Sequence, residues 1–256
     1  MKLLITGAKG FIGHHFYNLM ANDSTYDSPG YCSTKPIKIY GIDNCSGLAC
    51  DERDVPYTNG DLMECELPED VTHVIHLAGR TSVRASWIPE NIVKFYRDNF
   101  LVSERLFNFY KDKPVKILYA TSSSVLEMKS PYAMTKKMVE HIAPPNAIGM
   151  RFFTVYGEKG RPDMLYRMAQ EGKVEHLTVN KRDFTPVEHV VRCIRKLLVS
   201  GNMGDVYDIG TGVTKTPEEF LQHNRIKMPQ VSYIQKYDES LNTCANTTKI
   251  EELSYM

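Results

Sequence analysis

Short apolar runs alternate with stretches of helical spacing along the first half of this chain. Residues 2–6 (Lys2-Leu3-Leu4-Ile5-Thr6), 37–43, 71–79 and 115–120 lack a polar residue at every second position, so they read as strands buried on both faces rather than half-exposed ones. Residues 14–20 predict a helix directly after the first strand. Ile92, Val93, Tyr96, Phe100, Leu106 and Tyr110 give helical spacing across 91–112. Strands alternating with helices predict an α/β fold with a doubly wound parallel sheet. From about residue 145 the pattern loosens into a strand at 148–155, a helix at 187–200 and a strand at 206–210, with turn-rich pieces between them. This predicts a first domain over 1–150 and a smaller C-terminal lobe over 151–256, segments 187–212 of which return to the sheet.

In such sheets ligands sit beyond the carboxyl ends of the strands. Gly7, Asp43, Ala78, Gly79 and the cluster Ser122-Ser123-Ser124 all fall there. The run Gly7-Ala8-Lys9-Gly10-Phe11-Ile12-Gly13 stands between the first strand and the first helix, the context of a dinucleotide site. Its glycines permit a tight turn and let backbone N–H groups approach a pyrophosphate. A Gly-Lys-Ser/Thr sequence, needed for a nucleotide-triphosphate loop, is absent from it. About thirty residues on, the second strand ends in Asp43-Asn44. A carboxylate there accepts both ribose hydroxyls and repels a 2′-phosphate, so the expected cofactor is NAD and the fold is of Rossmann type.

Composition narrows the class. Lys+Arg and Asp+Glu both number 31 of 256 residues, which removes any basic surface bias toward nucleic acid. No apolar run is long enough to span a bilayer, and the expectation is a cytoplasmic protein without a membrane partner. The six cysteines (Cys32, Cys45, Cys50, Cys65, Cys193, Cys244) form no Cys-x-x-Cys pair and no metal-like cluster, so they read as reduced thiols and no metal is expected.

The sharpest chemical signal is Tyr132-Ala133-Met134-Thr135-Lys136. A Tyr four residues before a Lys at a helix start puts phenol and ammonium on one face, and the cation is expected to lower the phenol pKa toward that of a working acid/base.

In order and spacing, these pieces resemble the extended short-chain dehydrogenases/reductases, the NAD-dependent sugar-nucleotide epimerases and dehydratases. The matching segments are Thr6-Gly7-x-x-Gly10-x-x-Gly13, Gly41-Ile42-Asp43-Asn44, Gly60-Asp61-Leu62, His76-Leu77-Ala78-Gly79, Asn99, Ala120 to Val125 and Tyr132-x-x-x-Lys136. Further on come Arg151 to Gly157, Gly160-Arg161-Pro162-Asp163-Met164, Arg182-Asp183-Phe184-Thr185 and Tyr207 to Gly212. Arg-Phe-Phe-Thr-Val-Tyr-Gly followed by Gly-Arg-Pro-Asp-Met looks most like UDP-glucuronate 4-epimerases. The resemblance implies Ser122, Tyr132 and Lys136 as the catalytic set, with Ser123 the competing serine. It implies cofactor contacts from Gly7, Gly10, Phe11, Ile12, Gly13, Asp43, Asn44, Asp61, Leu62, Leu77, Ala78, Gly79, Arg80 and Asn99, besides Tyr132 and Lys136. It implies substrate contacts from Arg84, Ser123, Thr154, Arg161 and Arg182, a UDP-sugar substrate and a possible homodimer. Arg161 and Thr154 are expected to hold a sugar carboxylate, and Arg182 the diphosphate.

The chain also departs from that pattern. Only seven residues separate Ser124 from Tyr132, where the family usually has about twenty that help cover the sugar. Pro144-Pro145 is expected to end the following helix early, and residues 44–60 are compressed. Besides C4 epimerisation, a dehydratase, a reductase and a non-catalytic NAD-binding protein stay open. Against the dehydratase stands the lack of an acidic residue in Ser123-Ser124.

Overall fold

The structure, a computed structural model, describes residues 1–22, 37–45, 57–235 and 240–253. Cys32 and Cys50 lie outside them, as does most of the compressed 44–60 segment.

The strands in chain order are β1 Lys2–Thr6, β2 Lys38–Asp43, β3 Thr58–Asn59, β4 His73–His76, β5 Lys116–Ser122, β6 Ala147–Phe152, β7 Thr154–Tyr156, β8 His176–Thr178, β9 Lys181–Arg182, β10 Phe184–Pro186, β11 Val206–Ile209, β12 Ser232–Ile234 and β13 Asn242–Thr243. The helices are α1 Phe11–Asn22, α2 Val83–Ser86, α3 Pro89–Phe95, α4 Val102–Tyr110, α5 Pro131–Ile142, α6 Leu165–Gln170, α7 Val187–Ser200, α8 Pro217–His223 and α9 Thr248–Glu251. A π-helix, Tyr96–Leu101, joins α3 to α4, and a 3₁₀ turn covers Ser123–Leu126.

Seven strands form one parallel sheet in the order β11-β6-β5-β4-β1-β2-β3. The fold is the Rossmann-type α/β architecture. Strand order reverses between β1 and β4, which opens a crevice at their carboxyl ends. Alternate residues of each strand go to opposite faces. Leu3 and Ile5 pack with Phe16 of α1 and with Val190, Ile194 and Leu197 of α7, whereas Leu4, Val74 and Ile117 pack with Leu106, Phe107 and Tyr110 of α4. Both faces are therefore covered, as the uninterrupted apolar runs require. β11 and α7, late in sequence, complete the sheet and its first face. A third cluster, Val174, Leu177, Phe184, Phe220 and Leu221, supports the pieces that face the crevice from the other side.

Helix α5 starts where its sequence directs. Ser130, in extended backbone, accepts a hydrogen bond from Ala133 N at 3.1 Å, and Pro131 occupies the first turn. The helix ends at Ile142, with Ala143 already extended before Pro144. The expected helix over 91–112 runs unbroken from Pro89 to Tyr110 as α3, the π turn and α4. Apolar spacing does not register one extra residue per turn.

Candidate active site

The crevice holds a cleft of about 600 Å³ lined by Gly7, Gly10, Phe11, Ile12, Gly13, Leu77 and Gly79 at one end and by Arg84, Ser122, Ser123, Tyr132, Lys136, Thr154, Arg161 and Arg182 further along. Distant parts of the sequence thus meet in one place because each follows the carboxyl end of a parallel strand.

The glycine loop is fixed by backbone contacts that exclude larger residues. Gly7 has φ +70°, and a Cβ on it would stand 2.7 Å from Ala78 N. A Cβ on Gly13 would stand 2.0 Å from Gly7 O, well inside contact distance. Gly10 N donates to Gly7 O at 3.0 Å and His14 N to Gly10 O at 2.9 Å, so the loop runs straight into α1. Asp43 at the end of β2 accepts from Lys9 N at 2.9 Å and from Cys45 N at 2.8 Å. Its carboxylate is thereby held beside the loop. These residues fit a dinucleotide: open backbone at a helix N-terminus for the pyrophosphate, and an oriented acid for the ribose.

Asn44 is exposed just past Asp43, and Asp61 and Leu62 follow β3. Asp61 accepts from Met63 N at 2.9 Å and pairs with Arg97 at 2.6 Å. Burial raises its pKa, but the Met63 N–H and the Arg97 guanidinium outweigh burial and leave it lowered. Arg80 is turned onto Asp98 at 2.8 Å. Asn99 is fully buried in the π-helix, where it accepts from Arg80 N at 2.8 Å and donates to Arg80 O at 3.1 Å and to Thr135 at 3.0 Å. It ties the segment after β4 to the helix of Tyr132 and Lys136, while Ala78 backs the loop at Gly7.

Tyr132 and Lys136 lie one turn apart on α5, both buried. Ser122, the last residue of β5, lines the cleft with Tyr132, and its hydroxyl lies 2.7 Å from the Ser124 hydroxyl. Lys136 Nζ donates to Ala120 O at 3.2 Å. A Cβ on Gly79 would stand 3.1 Å from that nitrogen and 2.8 Å from Asn99 Oδ1, so only glycine lets these groups converge.

The electrostatics differ from the expectation. Burial pushes the Tyr132 phenol above its ordinary value, against the smaller pull of the Ser122 hydroxyl and the Arg161 charge. Lys136 is not what opposes the rise; burial takes its own pKa down to about 8. The helical spacing revealed the pair, but not the depth at which both are buried, and desolvation disfavours both charged forms.

Arg161, expected to hold a sugar carboxylate, is already engaged by a carboxylate of the protein. Its guanidinium makes a bidentate pair with Asp163 at 2.9 and 2.7 Å and donates to Thr81 at 2.7 Å. Arg182 donates to Ser240 O at 2.5 Å. The next residue, Asp183, is fully buried and accepts from Thr185, from Thr211 N and Oγ, and from Gly212 N. That web fixes the backbone from which Arg182 projects. Sequence reasoning missed Glu127 and Lys129, which line the same cleft from the short link between Ser124 and Tyr132. Two charges in a seven-residue link were the available signal.

Among the described residues no cluster of His, Cys, Asp or Glu could hold a metal ion, and no helix is long and apolar enough to cross a membrane.

The model of the family described as NAD dependent epimerase/dehydratase matches residues 3–210. UDP-glucuronate 4-epimerase 3 of Arabidopsis thaliana is 32% identical over 75% of this chain and 53% of its own length, so the chain spans about half of that relative. The structure of MoeE5 in complex with UDP-glucuronic acid and NAD is similar with a TM-score of 0.80 and 26% identity, over 99% of this chain and 92% of that one. DesIV, a dTDP-glucose 4,6-dehydratase from Streptomyces venezuelae, shares the fold with a TM-score of 0.82 at 21% identity, over 100% of this chain and 92% of its own.

Proposed function

The chain belongs to the NAD dependent epimerase/dehydratase family, with NAD as its cofactor, and on that premise we propose that it inverts C4 of a nucleotide sugar, UDP-glucuronate in the first place. The observation that carries this reading is the buried pair Tyr132 and Lys136 one turn apart on α5, with Ser122 lining the same cleft, which begins at the glycine loop.

The glycine loop and Asp43 would hold NAD, which when bound would supply the acceptor and donor of hydride. Tyr132 takes the proton of the sugar 4-hydroxyl and returns it after the 4-keto sugar has turned over. Ser122 hands that proton between sugar and phenol. Lys136, protonated below about pH 8, supplies a positive charge that favours the phenolate in a water-poor site. Arg182 projects toward the diphosphate, and a fixed guanidinium fork suits that group. Thr154, Arg84 and Ser123 face the sugar. Leu62, Leu77, Ala78, Asn99 and Arg80 shape the wall behind the cofactor.

The alternative is a 4,6-dehydration, for which Glu127 offers the acid that Ser123-Ser124 lacks. Its carboxylate is held by Lys129 at 2.6 Å and by the Ser240 hydroxyl, which favours the epimerase reading.

The test is incubation of NAD-loaded protein with UDP-glucuronate and with UDP-glucose, with chromatographic resolution of the 4-epimers and mass analysis of the products. Because Asp163 already satisfies Arg161, a neutral sugar strands no charge, and UDP-glucuronate is expected to be preferred by about tenfold or less. Arg161→Met should erase that preference. Products lighter by one water would replace epimerisation with dehydration, and no preference would remove the uronate assignment.

A further inference from the structure

The seven-residue link between Ser124 and Tyr132 carries charge into the cleft. Glu127 and Lys129 line the cleft together with Ser240, Thr243 and Arg182. The Lys129 ammonium is 2.6 Å from the Glu127 carboxylate. Arg182 lines the same cleft and donates to Ser240 O. The Glu127 pKa is lowered, first by the Lys129 hydrogen bond, against the opposing effect of burial, and further by the Ser240 hydroxyl and the Arg182 charge. Lys129, Glu127 and Arg182 therefore bring two cations and one carboxylate to the lining of one cleft.

Resting on the nucleotide-sugar reading, we propose that Lys129 is a second diphosphate-binding cation, paired with Arg182, and that Glu127 occupies the anion position between them until substrate arrives. Three features support this. The link is short, and a seven-residue connection with a left-handed residue, Met128 at φ +51°, constrains where its side chains project. A 3₁₀ turn before it and the Ser130 cap after it fix both ends. A diphosphate carries at least two negative charges, which one guanidinium does not balance, and Lys129, paired with Glu127, is a second cation lining the cleft that Arg182 lines.

The two partners of this ion pair should then act in opposite directions. Lys129→Met removes a phosphate contact and should weaken UDP binding about three- to tenfold, the range for a charge pair that is partly exposed. Glu127→Gln removes the competing anion and should tighten UDP binding by about two- to fivefold. Both effects should be smaller for UMP than for UDP and should shrink with added salt.

The experiment is titration calorimetry of UDP and UMP into NAD-loaded wild type, Lys129→Met and Glu127→Gln, with NAD retention as the check that each variant is folded. Opposite shifts support the inference. An unchanged affinity in Lys129→Met, or weakening by both substitutions alike, overturns it, since a pair that merely shapes the link behaves that way. A wild type that holds NAD but ignores UDP overturns the nucleotide-sugar reading as well.

Discussion

Gly13→Ala tests the cofactor site where the geometry leaves least room. The new Cβ would be 2.0 Å from Gly7 O, 2.9 Å from Gly7 C and 3.1 Å from Ala8 Cα. All three are backbone atoms, so no side chain can swing away. Restoring an ordinary carbon–oxygen contact requires the loop and the start of α1 to separate by roughly 1 Å, a strain of about 1–3 kcal/mol in a packed interior. The same displacement moves the N–H groups aimed at the pyrophosphate, and each weakened bond to a charged group costs about 1.5–3 kcal/mol. NAD affinity should fall by about one to two orders of magnitude. Gly10→Ala is the graded control. Its Cβ would meet Gly7 O at 3.1 Å, a gap that a few tenths of an ångström repairs, so its loss should be severalfold at most. Calorimetric titration of NAD into the cofactor-stripped variants, beside their thermal unfolding, measures both terms. Equal affinities in Gly13→Ala and wild type would refute the placement of the pyrophosphate at this loop.

Tyr132→Phe removes the proton acceptor but little volume, so turnover should drop more than about a hundredfold while NAD stays bound; undiminished turnover would move the base elsewhere. With the Lys136 pKa near 8, kcat/KM should decline above about pH 8 as the ammonium is lost, and a wild-type profile without that alkaline limb would exclude its charge from catalysis. His76 is buried between Thr6 at 2.7 Å and Ser103 at 3.0 Å, and burial lowers its pKa from 6.5 to about 3. The unfolded chain therefore takes up the proton first: stability is full above pH 6.5 and is lost as pH falls toward 3, by roughly 4–5 kcal/mol from this group. Denaturant titrations at several pH values should show a shallower acid slope in His76→Gln, and an unchanged slope would assign the acid loss to other groups.

How much could be read from the sequence depended on whether the signal was local. β1, β2, β4 and β5 were legible because a strand buried on both faces must be apolar throughout, and α7 was read over its observed span, 187–200. Thr58–Asn59 was not read as a strand, being two exposed polar residues whose ladder depends on β2 alone. The 148–155 run became β6 and β7, since the chain leaves the main sheet at Phe153 to pair with β10. At the site, the glycine loop and the Tyr132/Lys136 spacing are written in consecutive residues. The Arg161 partner Thr81 lies eighty positions away, and the desolvation of Tyr132 comes from the whole fold, so neither leaves a local trace.

The late return of β11 and α7 to the sheet has a consequence for synthesis. Until residues 187–209 have been made, β6 has an unpaired edge, and the face of β1 and α1 that α7 covers stays open to water. At about 5–20 residues per second, the nascent chain spends seconds in that state, with a dinucleotide loop already encoded but no complete layer behind it. A cell making this protein must therefore shield a half-built sheet. Truncation before α7 should yield aggregates rather than a smaller cofactor-binding unit.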